Sequence, residues 1–184
     1  IAPLPHPIIG YAGWMGYQMD TELLCLVARA YPDCSLVLVG PSDLPDSNDL
    51  GQLQSLPNVF FLGCKDRQEL PNYLQAFDVA LMPYLLKGHV LSIYPLKLHE
   101  YLAAGRAVVS TDLPELQPYG GQVRIAQTHG EFIDHIRDAL GDDTPQAIEA
   151  RVAVARENTW DHRVAEINRV LEQHLSVKSK ELAA

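Results

Sequence analysis

Leu36-Val37-Leu38-Val39-Gly40 carries no polar residue at alternate positions, and that absence decides the fold. A strand with one wet face alternates apolar and polar side chains. A run that is apolar throughout is buried on both faces, as in a parallel sheet covered by helices. Its surroundings agree. Upstream, Ile8-Ile9-Gly10-Tyr11-Ala12 is a second apolar run, followed by the glycine-punctuated loop Gly13-Trp14-Met15-Gly16. Asp20 then stands as a helix cap before Leu23, Leu24, Val27, Ala30 and Tyr31 at helical spacing, with Pro32 and Asp33 as the stop.

Downstream the strand–loop–helix–strand unit repeats. Val59-Phe60-Phe61-Leu62 reads as a third strand, and Asp66 with Glu69 as a capping pair for a helix reaching about Phe77. Residues 78–83 form a fourth strand, followed by a polar loop with Lys87, Gly88 and His89. Pro95 stands as the first helical residue of a segment that Gly105 ends. Residues 107–110 and 123–126 supply two more strands. Thr128 and Glu131 form a second capping pair ahead of Phe132, Ile133, Ile136 and Leu140 on one helical face. From Thr144 onward the pattern is helical, with a break near Asn158-Thr159-Trp160. Trp160 is expected in the packing between the terminal helices.

The expected architecture is α/β: a Rossmann-like, doubly wound parallel sheet with helices on both faces. Residues 1–7, where proline alternates with other residues, read as a linker, and 8–142 as the domain. Residues 143–176 read as carboxy-terminal helices and 177–184 as a frayed tail. A chain of 184 residues suits one domain with a sizeable core. Its start at Ile1 instead of Met reads as a trimmed fragment. A net charge of −9 excludes binding to nucleic acid, or to an anionic membrane, by bulk charge. An anionic ligand has to be held by local features. No apolar run is long enough to cross a bilayer, and no signal-peptide pattern opens the chain. Cys25, Cys34 and Cys64 form no CxxC pair and read as reduced thiols of a cytoplasmic protein. Among the histidines, only His129 and His135 approach a ligand spacing, and they read as surface residues, so no metal site is expected.

In doubly wound sheets, ligands bind beyond the carboxyl ends of the strands, where the strand order reverses. With the usual order that place lies between strands one and four. It selects residues 13–18 and 84–94, plus the amino end of the helix at Pro95, whose backbone donors suit phosphate. Trp14 there either stacks on a ligand or plugs a domain interface. Within Tyr94-Pro95-Leu96-Lys97-Leu98-His99-Glu100-Tyr101-Leu102-Ala103-Ala104-Gly105, Lys97 and Glu100 stand three apart on one helical face. The plain alternative for them is a solvated surface ion pair.

At this segment the chain resembles the GT-B glycosyltransferases of group 1, in particular a teichuronic-acid-biosynthesis-like family. Those enzymes carry a similar proline–lysine–glutamate helix ending in Ala-Ala-Gly, followed by a strand like Val108-Val109-Ser110-Thr111. Agreement in order extends to Ile9-Gly10-Tyr11 with Gly13, Leu38-Val39-Gly40-Pro41, Leu56-Pro57-Asn58-Val59, Phe61-Leu62-Gly63, and Leu70-Pro71 through Phe77-Asp78-Val79. The ending Asn158-Thr159-Trp160 with Arg163 is also similar. The resemblance covers about residues 7–165 and concerns the carboxy-terminal, donor-binding half of such an enzyme.

The resemblance implies a nucleotide-sugar-binding domain that serves transfer of a sugar from a nucleoside-diphosphate donor to a glycan or polysaccharide acceptor. It implies no cofactor, with the nucleotide sugar as substrate, and no bound metal. It further implies a missing amino-terminal acceptor domain, an inactive isolated fragment, and a place in the cytoplasm at the inner face of the membrane. Glu100 matches the acidic residue that bonds the ribose hydroxyls, and Lys97 would face the diphosphate or cap the loop. Gly13, with Trp14 and Gly16 beside it, would let backbone approach the diphosphate. Gly63, Cys64 and Lys65 would lie near the base, and Tyr94 and Pro95 at the helix start. Two features depart from the pattern. Ser92 stands where many relatives have a first glutamate, eight positions before Glu100. Residues 14–17 and 41–43 lack the basic side chains often found there, leaving Lys87 and His89 as substitutes. Two other functions fit the same fold: a non-catalytic binding module and one half of a nucleotide-sugar epimerase.

Overall fold

A computed structural model describes residues 3–141 and 143–182, with side chains to Leu175. The expected linker's Ile1 and Ala2 and the end of the expected tail, Ala183 and Ala184, lie outside the described residues, as does Asp142. The elements run β1 (Ile8–Ala12), α1 (Thr21–Ala30), β2 (Ser35–Val39), α2 (Asn48–Ser55), β3 (Val59–Gly63), α3 (Leu70–Gln75) and β4 (Val79–Met82). They continue with α4 (Leu96–Ala103), β5 (Ala107–Thr111), β6 (Val123–Ala126), α5 (His129–Gly141), α6 (Pro145–Glu157) and α7 (Trp160–Leu182). The strands form one parallel sheet in the order β3-β2-β1-β4-β5-β6. The chain winds outward from β1 in one direction, returns to β4, and winds outward in the other.

The uniformly apolar strands are buried because each face has its own cover. Ile9, Tyr11, Leu36, Leu38 and Leu81 pack against Leu23, Leu24 and Val27 of α1 and Phe132 and Ile136 of α5. Ile8, Val37, Val39, Ala80 and Met82 pack on the other side with Phe77 and with Leu98, Tyr101 and Leu102 of α4. Side chains that fill both layers leave no wet face, so no alternation appears in the sequence.

The helix starts show which side-chain caps form. Asp20 accepts from Leu23 N at 2.9 Å and opens α1. Its second carboxylate oxygen lies 2.9 Å from His129 Nε2, tying α1 to the first residue of α5. Thr128 accepts from Glu131 N at 3.1 Å, while Glu131 reaches back to Gln127 N at 2.8 Å. The expected Asp66–Glu69 pair does not form. The Asp66 carbonyl, not its carboxylate, receives Glu69 N and Leu70 N, and α3 begins only at Leu70.

Other boundaries differ by small amounts or for clear reasons. Pro95 is the N-cap of α4 and not its first helical residue. Helix α2, capped by Ser47 and buried through Leu50 and Leu53, adds a unit between β2 and β3. Trp160 is not core: it is 73% exposed, because α7 leaves the body of the domain instead of packing back on α6. The proline-rich start is pinned at the amino ends of the strands, where Pro7 O accepts Ser35 N and His6 Nδ1 lies 2.8 Å from Asp78 Oδ2. Helix α7 is continuous to Leu182, through most of the expected frayed tail. Among the described residues no helix is long and apolar enough to cross a membrane.

Candidate functional site

Strand order reverses between β1 and β4, as the spacing of elements predicts. The two pair only at Ile9↔Val79 and Gly10↔Ala80, so Tyr11 and Ala12 run on without a strand neighbour on that side. The gap is closed by a side chain. Tyr101 of α4 accepts from Ala12 N at 2.9 Å and donates to Ala12 O at 3.4 Å, a hydroxyl standing in for the missing ladder rung. Burial pushes the Tyr101 phenol far above its ordinary pKa, so it keeps the proton that it donates.

The loop after β1 is laced to the loop after β2. Gly13 N donates to Val39 O at 2.7 Å, Met15 N to Pro41 O at 2.9 Å, and Asp43 N to Met15 O at 2.8 Å. From below, Tyr11 OH donates to Trp14 O at 2.8 Å, with Gln18 Nε2 on the same carbonyl at 3.1 Å. Gly13 sits at φ +147°, and a Cβ built there would lie 1.8 Å from Lys97 Nζ. Lys97 therefore lies against the loop, with its amine 5.7 Å from the centre of the Tyr11 ring. Burial lowers the Lys97 pKa, and the Glu100 carboxylate opposes that shift. Lys97 is thus not a solvated surface side chain: its amine packs over Gly13 and the Tyr11 ring.

Trp14 is 39% exposed. Its indole N–H donates to Asp43 Oδ2 at 2.7 Å, and its ring lies against Gly16 and edge-on to Tyr17 at 5.5 Å. Tyr17 OH lies 2.7 Å from His89 Nε2, which brings the loop after β4 to the loop after β1. Backbone bonds from Leu85 N to Gln18 O and from Asp20 N to Pro83 O fasten the same two loops. Lys87 caps the 3-10 turn Gly88–Ser92 and is exposed. Gly13, Trp14, Gly16, His89 and Lys97 are thus gathered at the crevice.

The helix start at Pro95 is less open than the sequence suggests. Leu96 N already bonds Tyr94 O, and Leu98 N bonds Pro95 O, both at 3.0 Å. Tyr94 belongs to a separate side-chain cluster with His99, Tyr119 and Arg163. Glu100 lines a groove of about 310 Å³ between α3 and α4, with Arg67, Leu70, Pro71, Leu74 and Gln75 opposite. Gly63, Cys64 and Lys65 end β3 without lining that groove, and Lys65 lies over the Tyr73 ring at 5.7 Å. Arg67, two residues on, does line the groove. Helix α4 therefore carries Lys97 toward the crevice and Glu100 toward the groove, one turn apart. Chemically, the pair offers a cation beside glycine backbone and a carboxylate suited to a vicinal diol. Among the described residues no group of His, Cys, Asp and Glu could hold a metal ion.

The sequence reading missed Tyr11, Tyr101, Asp43 and Arg67. The tyrosines were discoverable: a phenol inside an apolar strand or on a buried helix face requires a polar partner, and here that partner is site backbone.

The family model for group 1 glycosyl transferases matches residues 7–142. A chain named as a teichuronic acid biosynthesis glycosyltransferase, TuaH of Bacillus subtilis (strain 168), is 30% identical over 159 residues, covering 84% of this chain and 40% of that one. The crystal structure of Anabaena Alr3699/HepE in complex with UDP and glucose superposes with a TM-score of 0.67 at 17% identity, over 94% of this chain and 48% of that one. Sucrose-phosphate synthase from Thermosynechococcus elongatus gives 0.69 at 23% identity, over 96% and 48%. At such identities these likenesses concern the fold. This chain spans about half the length of the proteins it matches.

Proposed function

The chain belongs to the group 1 glycosyl transferases, and from that premise we propose that it is the nucleotide-sugar-binding domain of an enzyme that moves a sugar from a nucleoside-diphosphate donor to a glycan or polysaccharide acceptor. One observation carries the reading. A single helix, α4, sets Lys97 against the loop at the reversal of strand order and Glu100, one turn on, in the groove between α3 and α4, so that a cation and a carboxylate stand on neighbouring turns for a diphosphate and its ribose. Lys97 and the backbone of residues 13–16 serve the diphosphate, and helix ends and basic side chains stabilise it as it leaves. Glu100 accepts from the ribose hydroxyls. Lys87, His89 and the Trp14–Tyr17 ring pair border the sugar end.

The rest of the enzyme supplies the acceptor site, and α7 is where it docks. Trp160, Val164, Ile167, Leu171 and Leu175 form an exposed apolar stripe at helical spacing. The proteins it matches are about twice as long as this chain, and a second half like theirs would cover the stripe. On this reading the domain works in the cytoplasm, and sugar transfer needs both halves.

Glu100→Gln tests the assignment, because it keeps the shape and removes the charge. A charge-assisted bond contributes about 1.5–3 kcal/mol, so the affinity for uridine or guanosine diphosphate should fall about 10- to 100-fold. The melting temperature without ligand should barely change, since Glu100 is exposed. Parent-like binding by the variant removes Glu100 from the site. A second calorimetric series, with and without a chelator, should give equal affinities, and a loss on chelation would mean that a cation bridges the phosphates.

A further inference from the structure

The first turn of α7 reaches back to the start of α4. Arg163 donates through Nη2 to the Tyr94 hydroxyl, and its guanidinium lies over the Tyr94 ring, 4.9 Å from the centre. With that donor in place, the Tyr94 hydroxyl is free to give its own hydrogen to His99 Nε2, 2.6 Å away, on a ring stacked at 5.7 Å and 23°. Tyr119 closes the cluster edge-on to His99 and donates to Asn158 Oδ1 at 3.2 Å.

This cluster is placed where α4 needs it. The helix has eight residues and no side-chain cap on its first turn, and so short a helix is marginal without tertiary support. Tyr94 immediately precedes the N-cap Pro95. His99 lies between Lys97 and Glu100 and points to a third direction, neither crevice nor groove. Leu98, Tyr101 and Leu102 seat α4 on the sheet from its buried face, and Tyr94 with His99 hold its first turn from outside, which steadies the aim of the other two side chains.

We propose that Arg163 is a positioning residue for the donor site, locking the first turn of α4 through the face and hydroxyl of Tyr94. The proposal rests on the donor-binding reading. Only a flat guanidinium stacks on the ring and bonds its hydroxyl together, so lysine is a partial substitute. The α7 helix, which otherwise projects from the domain, thereby acts on the groove and crevice without touching either.

Arg163→Ala and Arg163→Lys are compared with the parent chain by three measurements. In Arg163→Ala, amide exchange at residues 96–100 should quicken about 10-fold or more while the sheet keeps its protection. Affinity for uridine diphosphate should fall about 10-fold, within the range of such couplings. The His99 ring should titrate at higher pH by NMR, since burial and the Arg163 charge both hold its pKa down and one has been removed. Arg163→Lys should fall between the two. A lower melting temperature with parent-like affinity and exchange would reduce Arg163 to a structural contact and overturn the proposal, as would no change in any readout. If the parent binds no nucleoside diphosphate, the donor reading fails, and the exchange and His99 readouts alone decide whether Arg163 orders α4.

Discussion

Gly13→Ala is expected to bind a nucleoside diphosphate about 100-fold more weakly than the parent, or worse, from the addition of one methyl group. Two costs combine. The backbone at φ +147° is one that a side chain rarely adopts, and holding it there costs about 1–3 kcal/mol. The new Cβ would also overlap Lys97 Nζ, so the amine must leave the loop it supports. A displaced cation forfeits a charge-assisted contact of about 1.5–3 kcal/mol with the phosphates. The sum, about 2.5–6 kcal/mol, corresponds to about two decades in affinity or more. Lys97 is flexible enough to move, so Gly13→Ala combined with Lys97→Ala separates the two costs. If the double variant binds no worse than Lys97→Ala alone, the backbone term is absent and Gly13 matters only for the room it leaves.

Tyr101→Phe should destabilise the fold by about 2–4 kcal/mol without changing its packing volume. The hydroxyl serves both backbone groups of Ala12 in a dry interior. Removing it leaves a buried N–H and a buried carbonyl without that partner, each at about 1–3 kcal/mol. For a domain of this size the melting temperature should drop by about 5–15 °C. Calorimetric melting of the variant is the measurement. A fall below about 2 °C would mean that Ala12 finds water or another donor when β1 and β4 part.

The order of strands, and the crevice where that order reverses, were legible because they follow from periodicity. Apolar runs such as residues 36–39, alternating with helical spacing, leave few topologies, and the right-handed crossover rule leaves fewer. Lys97 and Glu100 could be placed on one helix face by counting. What each touches could not be counted, since Gly13, Tyr11 and the α3–α4 groove are distant in sequence and meet only after the sheet forms. Trp160 shows the opposite error. Its size and apolarity argued for burial, but α7 leaves the body of the domain at this residue and the ring stays exposed. Helix α2 was missed through its polar residues, although Ser47 with Leu50, Leu53 and Leu56 carries both a cap and a spacing. The Asp66–Glu69 pair had the right letters and the wrong geometry, since Glu69 enters with helical backbone angles before α3 begins.

The position of β1 in the middle of the sheet has a consequence for synthesis on the ribosome. Within this sheet, the strand made first is the one that needs neighbours on both sides, and they arrive at different times. β2 follows after a short crossover, but β4 emerges only after residues 13–78 have been added. During that interval β1 offers one naked edge of backbone donors and acceptors, flanked by side chains meant for a dry interior. Such edges recruit other chains. The emerging polypeptide is therefore most prone to stick to its neighbours while residues 13–78 are being added, and that hazard ends when Val79 and Ala80 reach Ile9 and Gly10.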